Sequence, residues 1–250
     1  AVKNTLIGFN AGTAITTGDD NTAVGRNAYD AGTTGIRNTA IGSGALSETT
    51  SGGNNSAVGY ASLNSNTTGS TNVAVGQNAL QFNTTASNNT SVGFNSLNAN
   101  TTGTQNVAVG GNALDANTTA NNNVAVGYDA LTANTTGQSN TCIGSDAGQA
   151  ITTTSNNTVV GSQAYIEGTG NENTCIGSYS GYNLTTGNYN TAIGYQALYT
   201  EDAGTQLIAL GRHALYSNDG GTQNTALGYS ALYANTSGDS NTATGYFSLG

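Results

Sequence analysis

The chain has 250 residues, a formal net charge of −9 and only four Lys or Arg, and it contains no Met, Pro or Trp. Without clustered cations for phosphate contacts, nucleic acid is excluded as an expected partner. No apolar run approaches the ~20 residues of a membrane-spanning helix, so membrane insertion is not expected either.

Gly, Asn, Thr, Ser and Ala dominate, yet they sit at fixed positions, which separates the chain from a disordered polar tract. A pivot glycine returns every 17 residues, from Gly8, Gly25 and Gly42 through Gly76, Gly110 and Gly127 to Gly245, with one 16-residue step between Gly161 and Gly177. A short fixed period over a whole chain predicts a solenoid whose repeats bury their apolar sides on one another. The reading is one all-β domain over residues 1–250, a parallel β-solenoid of about 14 coils. With no Met and a start in mid-repeat, the chain reads as a segment of a longer fibre protein.

Along each repeat, Asn opens the motif four residues before the pivot, as at Asn72, Asn106 and Asn123, and only Leu207 breaks the row. Stacked coils would turn these side chains into a hydrogen-bonded ladder. Two before the pivot stands a small residue, Ala74, Ala108 and Ala125 being typical, with Leu6 and Val159 larger. One before the pivot stands Ile or Val in the first twelve copies, then Leu210, Leu227 and Thr244; the aliphatic residue is read as core. Alternate strand residues face opposite ways, so the Ala row is expected on the other face, close to a second backbone and packed between chains. After the pivot come pairs such as Ala79-Leu80 and Ala130-Leu131, expected as a second short strand. A polar corner follows, in its fullest form Asn-Thr-Thr-Gly.

Cys142 and Cys175 occupy the same repeat position two coils apart. At a rise of about 4.8 Å per coil their α-carbons lie roughly 10 Å apart, too far for a disulfide. They read as small buried thiols in the place of Ala.

The Asn-Val-Ala-Val-Gly stretches at Asn72–Gly76, Asn106–Gly110 and Asn123–Gly127 resemble the repeats of YadA-like heads in trimeric autotransporter adhesins. The stretch from Asn190 to Leu198 is similar to repeats of phage tail fibres. The resemblance implies a left-handed β-roll, three identical chains around a common axis, and display outside the cell or on a virion.

No catalytic constellation emerges. His213 lacks Cys or Glu neighbours and reads as a solvated side chain beside Arg212; Asp19-Asp20 and Glu201-Asp202 are isolated pairs without the spacing of a calcium repeat. No enzyme activity, cofactor or metal is expected. Ten of the 13 Tyr follow residue 160, and Tyr182, Tyr199, Tyr216 and Tyr233 share one repeat position. This ladder reads first as a stiffening stack and second as a contact for a surface polysaccharide or receptor.

The leading expectation is a structural and adhesive fibre segment, homotrimeric and extracellular. The alternatives are an ice- or crystal-surface binder and a monomeric glycan-binding module. Adjacent turn threonines such as Thr67-Thr68 and Thr101-Thr102 point apart and make a poor lattice match. Trypsin has sites only after Lys3, Arg26, Arg37 and Arg212, and stacked coils resist the local opening that cleavage needs. Prolonged native digestion is expected to leave residues 38–250 as one fragment, checked by intact mass.

Overall fold

The computed structural model describes residues 3–250, in which each repeat contributes one strand of three residues and no helix is present. The chain divides into two compact units, one ending at Asn123 and the other running from Val124 to Gly250. The first holds β1 (Thr5–Ile7), β2 (Thr22–Val24), β3 (Thr39–Ile41), β4 (Ser56–Val58), β5 (Val73–Val75), β6 (Thr90–Val92) and β7 (Val107–Val109). The second holds β8 (Val124–Val126), β9 (Thr141–Ile143), β10 (Thr158–Val160), β11 (Thr174–Ile176), β12 (Thr191–Ile193), β13 (Ile208–Leu210), β14 (Thr225–Leu227) and β15 (Thr242–Thr244).

Within each unit consecutive strands pair in parallel, residue for residue, as in Ser56↔Val73, Ala57↔Ala74 and Val58↔Val75. The all-β solenoid with its 17-residue period is therefore the observed architecture. The 16-residue step leaves the strand register intact, Thr158 pairing with Thr174. One turn residue is lost between Thr169 and Gly170, and the hydroxyl of Tyr165 accepts a bond from the Gly170 amide at 2.9 Å in the shortened turn.

Two expectations about the strands are corrected. The Ala row faces the inside of its own coil: Ala74, Ala108 and Ala125 are all fully buried within one chain. They are not left open for a neighbouring chain. The Ile or Val before the pivot, expected in the core, points outward instead, with Ile41, Val75 and Ile143 keeping 37–39% of their surface exposed. In a three-residue strand the middle side chain and the two flanking ones must lie on opposite faces. The narrow interior accepts the small residue.

The expected second strand is a run of turns. Asn78 and Leu80 have φ of 56° and 53°, as do the equivalent residues of most coils. Such left-handed residues cost about 1–2 kcal/mol each. The cost is offset because the turns direct both Ala79 and Leu80 inward, where a leucine contributes about 1.5–3 kcal/mol. The turns also stack: the Leu80 amide donates to Ser96 O at 3.0 Å and the Phe82 amide to Asn98 O at 3.1 Å. At the pivot, Gly76 has φ of 133°, and any Cβ there would collide with the Gly93 carbonyl of the next coil. Gly110 and Gly127 share this conformation.

The interior is filled by three positions that compensate one another: two before the pivot, four after it and seven after it. Six coils use Ala, Leu and Asn, as at Ala74, Leu80 and Asn83. Where Tyr29 and Tyr165 replace Leu, the seventh position becomes Gly32 and Gly168, and a Cβ there would strike the tyrosine ring. Where Gly12, Gly148 and Gly181 replace Leu, the seventh position becomes Ile15, Ile151 and Leu184, and the small residue grows to Leu6, Cys142 and Cys175. The two thiols are thus volume fillers. Both are unpaired and buried, and Val159 stands between them in the strand register.

Two outcomes follow from this packing. Gly32→Thr alone is expected to destabilise by about 1–3 kcal/mol through overpacking against Tyr29. Combining it with Tyr29→Leu reproduces the neighbouring Leu46–Thr49 pair, and the double variant is expected to regain most of the loss in a thermal-melting cycle. Burial raises both thiols above their ordinary value near 9, Cys175 to about 12. It also raises the phenols of Tyr29 and Tyr165. Groups raised on folding stabilise fully below their unfolded pKa, and the contribution is lost as pH climbs through the folded value. Melting temperature is therefore expected to hold to about pH 9 and then fall toward pH 12, with thiol reagents reacting only as it falls.

Candidate functional site

Two surfaces are built by the repeat. The first is the outward face of the strands. The residue three before the pivot joins the aliphatic one on this side, giving Thr39 and Ile41, Val73 and Val75, Val107 and Val109 in the first unit. The second unit continues the pattern with Thr141 and Ile143, Ile208 and Leu210. None of the 13 acidic and four basic residues occupies either outward position in any of the 15 strands. Exposed aromatics one after the pivot, Tyr60, Phe94, Tyr128 and Tyr195, extend the apolar surface round the corner.

This face is held rigid from behind. Asn72 donates from Nδ2 to Ala86 O at 2.9 Å and to Asn55 Oδ1 at 3.1 Å, while its Oδ1 accepts from the Asn89 amide at 3.0 Å. Asn106 repeats the pattern, donating to Ala120 O and accepting from the Asn123 amide. All three expected ladder residues, Asn72, Asn106 and Asn123, are fully buried. A second row runs seven after the pivot, with Asn83 donating to Asn66 and Asn100 to Asn83 at 2.8 and 2.9 Å.

The second surface is aromatic and belongs to the second unit. Tyr182, Tyr199, Tyr216 and Tyr233 form one column with ring centroids 5.2, 5.2 and 5.0 Å apart and planes within 17° of parallel. Each ring covers its neighbour's face, and Tyr182 also meets Tyr179 at 5.7 Å, the two planes tilted by 42°. Edges and hydroxyls are what the column presents. Stacking of sugar rings on Tyr199 or Tyr216 would require faces that are already occupied. Desolvation, and then the neighbouring phenols, hold the Tyr199 hydroxyl above its ordinary pKa.

Beside the column, Arg212 lies between two rings, its guanidinium carbon 5.5 Å from the Tyr195 centroid and 5.6 Å from that of Tyr229. Such a cation–π sandwich contributes about 0.5–1 kcal/mol per ring at an exposed site. His213 is not the solvated side chain expected from sequence. It is half-buried, edge-on to Tyr216 at 5.3 Å, with Nε2 3.0 Å from Gln196 Oε1. Desolvation, and then the charge of Arg212, lower its pKa.

The acidic pairs separate. Asp19 accepts from the Lys3 amide at 2.5 Å, which lowers its pKa. Asp202 is exposed and accepts from the Thr185 hydroxyl. Glu201, by contrast, is fully buried where other coils have Asn, and it accepts from the amides of Ala203 and Gly220 at 2.9 and 3.0 Å, from Gly204, and from Asn218 Nδ2. It begins a second stretch of the inner row, followed by Asn218 and Asn235, a role visible in the sequence only once that row is aligned.

Among the described residues no group of three His, Cys, Asp or Glu could hold a metal ion, no pocket opens, and no helix is long and apolar enough to cross a membrane. No family model matches the chain, and no curated protein matches it.

Proposed function

We propose that the chain is a structural and adhesive fibre segment that works as an assembly of identical copies, outside the cell or on a virion. The observation that carries this reading is the outward strand face, free of charge, with an aliphatic row one before the pivot beside a row three before it that is mostly Thr, and backed by a rigid Asn ladder. Contiguous exposed apolar surface of this kind marks protein–protein contact, and depletion of charge is the signature of an interface centre. Two outward side chains per strand give this face 14 residues in the first unit and 16 in the second. A second copy satisfies it best, because the same face on each chain is complementary in chemistry. The count of three, and a left-handed roll, come from the resemblance to adhesin heads.

In this reading the Ala row builds each coil, and the Val, Ile and Leu rows join the chains. Attachment to a surface polysaccharide or receptor is assigned to the aromatic strip, through phenol hydroxyls and the exposed ring of Tyr246.

A second reading has a specific observation behind it. Thr39, Thr90, Thr141, Thr158, Thr174 and Thr191 stand three before the pivot on the same outward face, and paired strands hold the row in register. The row repeats from coil to coil, while the other outward residue of each of these strands is Ile or Val. An ice- or crystal-binding face must be bare, however, and an interface must be covered, so the two readings exclude each other.

Sedimentation equilibrium is expected to give three chain masses, with no thermal hysteresis. Val75→Lys with Val109→Lys is expected to leave the coils folded, because both side chains point outward, while dissociating the assembly by burying unpaired charge. Thr102→Ser in a turn is expected to change neither. A folded single chain with thermal hysteresis would replace the first reading by the second.

A further inference from the structure

The column of Tyr182, Tyr199, Tyr216 and Tyr233 holds four phenols in contact, each ring fixed by its neighbours and each half-buried with its edge toward solvent. The rest of the chain removes the side chains that would compete for an oxidant. It has no Met and no Trp. Its two thiols are fully buried, and the thiolate is the reactive form, which burial disfavours. An oxidant that withdraws single electrons at this surface therefore meets phenols first. Ten of the 13 phenols lie after residue 160.

We propose that this column is an oxidative cross-linking site, at which a peroxide-driven haem peroxidase joins phenols of consecutive coils as dityrosine. Peroxide takes one electron and one proton from each of two tyrosines and is reduced to two waters. The two phenoxyl radicals then form one carbon–carbon bond between ring positions ortho to the hydroxyls. The hydrogens displaced from those carbons move to the oxygens and restore both phenols. Stacked rings favour this product, since each radical is formed against the ring it must join, and the coupling needs no diffusion of the chain. The bond ties residues 17 apart in the sequence, and so holds one coil to the next as a disulfide ties a loop. This inference stands on the column's geometry and is independent of the proposed assembly.

Tyr60, Tyr128 and Tyr189 are exposed and, among the described residues, have no aromatic neighbour, so they can couple only between chains. Tyr229 and Tyr246 stack at 5.2 Å and 18° and provide an internal reference pair.

The test treats the folded protein with horseradish peroxidase and hydrogen peroxide, then maps linked peptides by mass spectrometry alongside dityrosine fluorescence. The expected result is intrachain links Tyr182–Tyr199, Tyr199–Tyr216 or Tyr216–Tyr233, each with loss of two hydrogens. In Tyr199→Phe with Tyr216→Phe, stacking is preserved, far-UV circular dichroism is unchanged, and the column links vanish while the Tyr229–Tyr246 link remains. The proposal is overturned if Tyr229–Tyr246 couples and the column does not. It is equally overturned if links form chiefly between chains through Tyr60, Tyr128 and Tyr189, or if tyrosine is consumed without dityrosine.

Discussion

Parallel stacking in register obliges every coil to have the same cross-section as the ones above and below it. Each strand residue meets its equivalent 17 positions on, and the turn amides, such as Leu80 N to Ser96 O, are fixed by the same repeat. A coil cannot swell or shrink without breaking hydrogen bonds on both sides. Its contents must therefore add to a constant volume, which native packing density makes a strict condition. Leu46 with Thr49, Tyr29 with Gly32, and Gly12 with Ile15 and Leu6 are three solutions of that condition in successive coils. Ser91 with Ser96 is a polar variant, the two hydroxyls 2.5 Å apart. The register comes first and residue choice follows it.

The same condition explains why so much of the interior is amide. A buried polar side chain is tolerable only when its donors and acceptor are satisfied. Repetition at coil spacing satisfies them automatically, since the acceptor of one Asn faces the donor of the next, as Asn72 Oδ1 faces the Asn89 amide. The left-handed turn residues, costly one by one, are tolerated for the same reason: most sit where the amide meets a carbonyl of the adjacent coil, as Asn78 N meets Tyr60 O. Glu201 shows what an end of a row requires. With Leu184 at the equivalent place in the preceding coil, a carboxylate can take all its bonds from donors on its own and the following coil.

Much of this was legible in the sequence. The 17-residue spacing placed every strand, and the pivot glycines and the Asn row were found at their structural positions. The facing of the strand was misread because aliphatic character was taken as a sign of burial. In a coil whose bore admits little beyond an Ala from the strand, the rule inverts: Ala74 is inside and Val75 outside. The pairs such as Ala79-Leu80 were misread as strand because alternation is the usual way to bury one of two neighbours. Positive φ at Asn78 and Leu80 allows both to point inward, and nothing in the identity of leucine announces a left-handed backbone. The compensation between the fourth and seventh positions was present in the sequence, and the Tyr–Gly and Gly–Ile pairs would have exposed it.

An inverted coil has a consequence for association. Placing the aliphatic rows outside leaves the chain with a surface that water does not favour, and the sequence confines its charges to the turns. Asp30, Asp115, Asp129 and Asp146 follow the pivot, Asp19 and Asp239 precede the Asn, and the outward strand positions carry none. Two chains approaching turn to turn meet like charge on a molecule of net −9, which disfavours contact over roughly a Debye length of 8 Å. Approach by the strand face meets no such barrier and removes apolar area from water at about 25 cal/mol per Å². Charge placement and hydrophobic burial thus favour the same geometry for the proposed assembly, strand faces inward and turns outward. In that proposed arrangement the column of Tyr182, Tyr199, Tyr216 and Tyr233 remains accessible to the proposed ligand and oxidant.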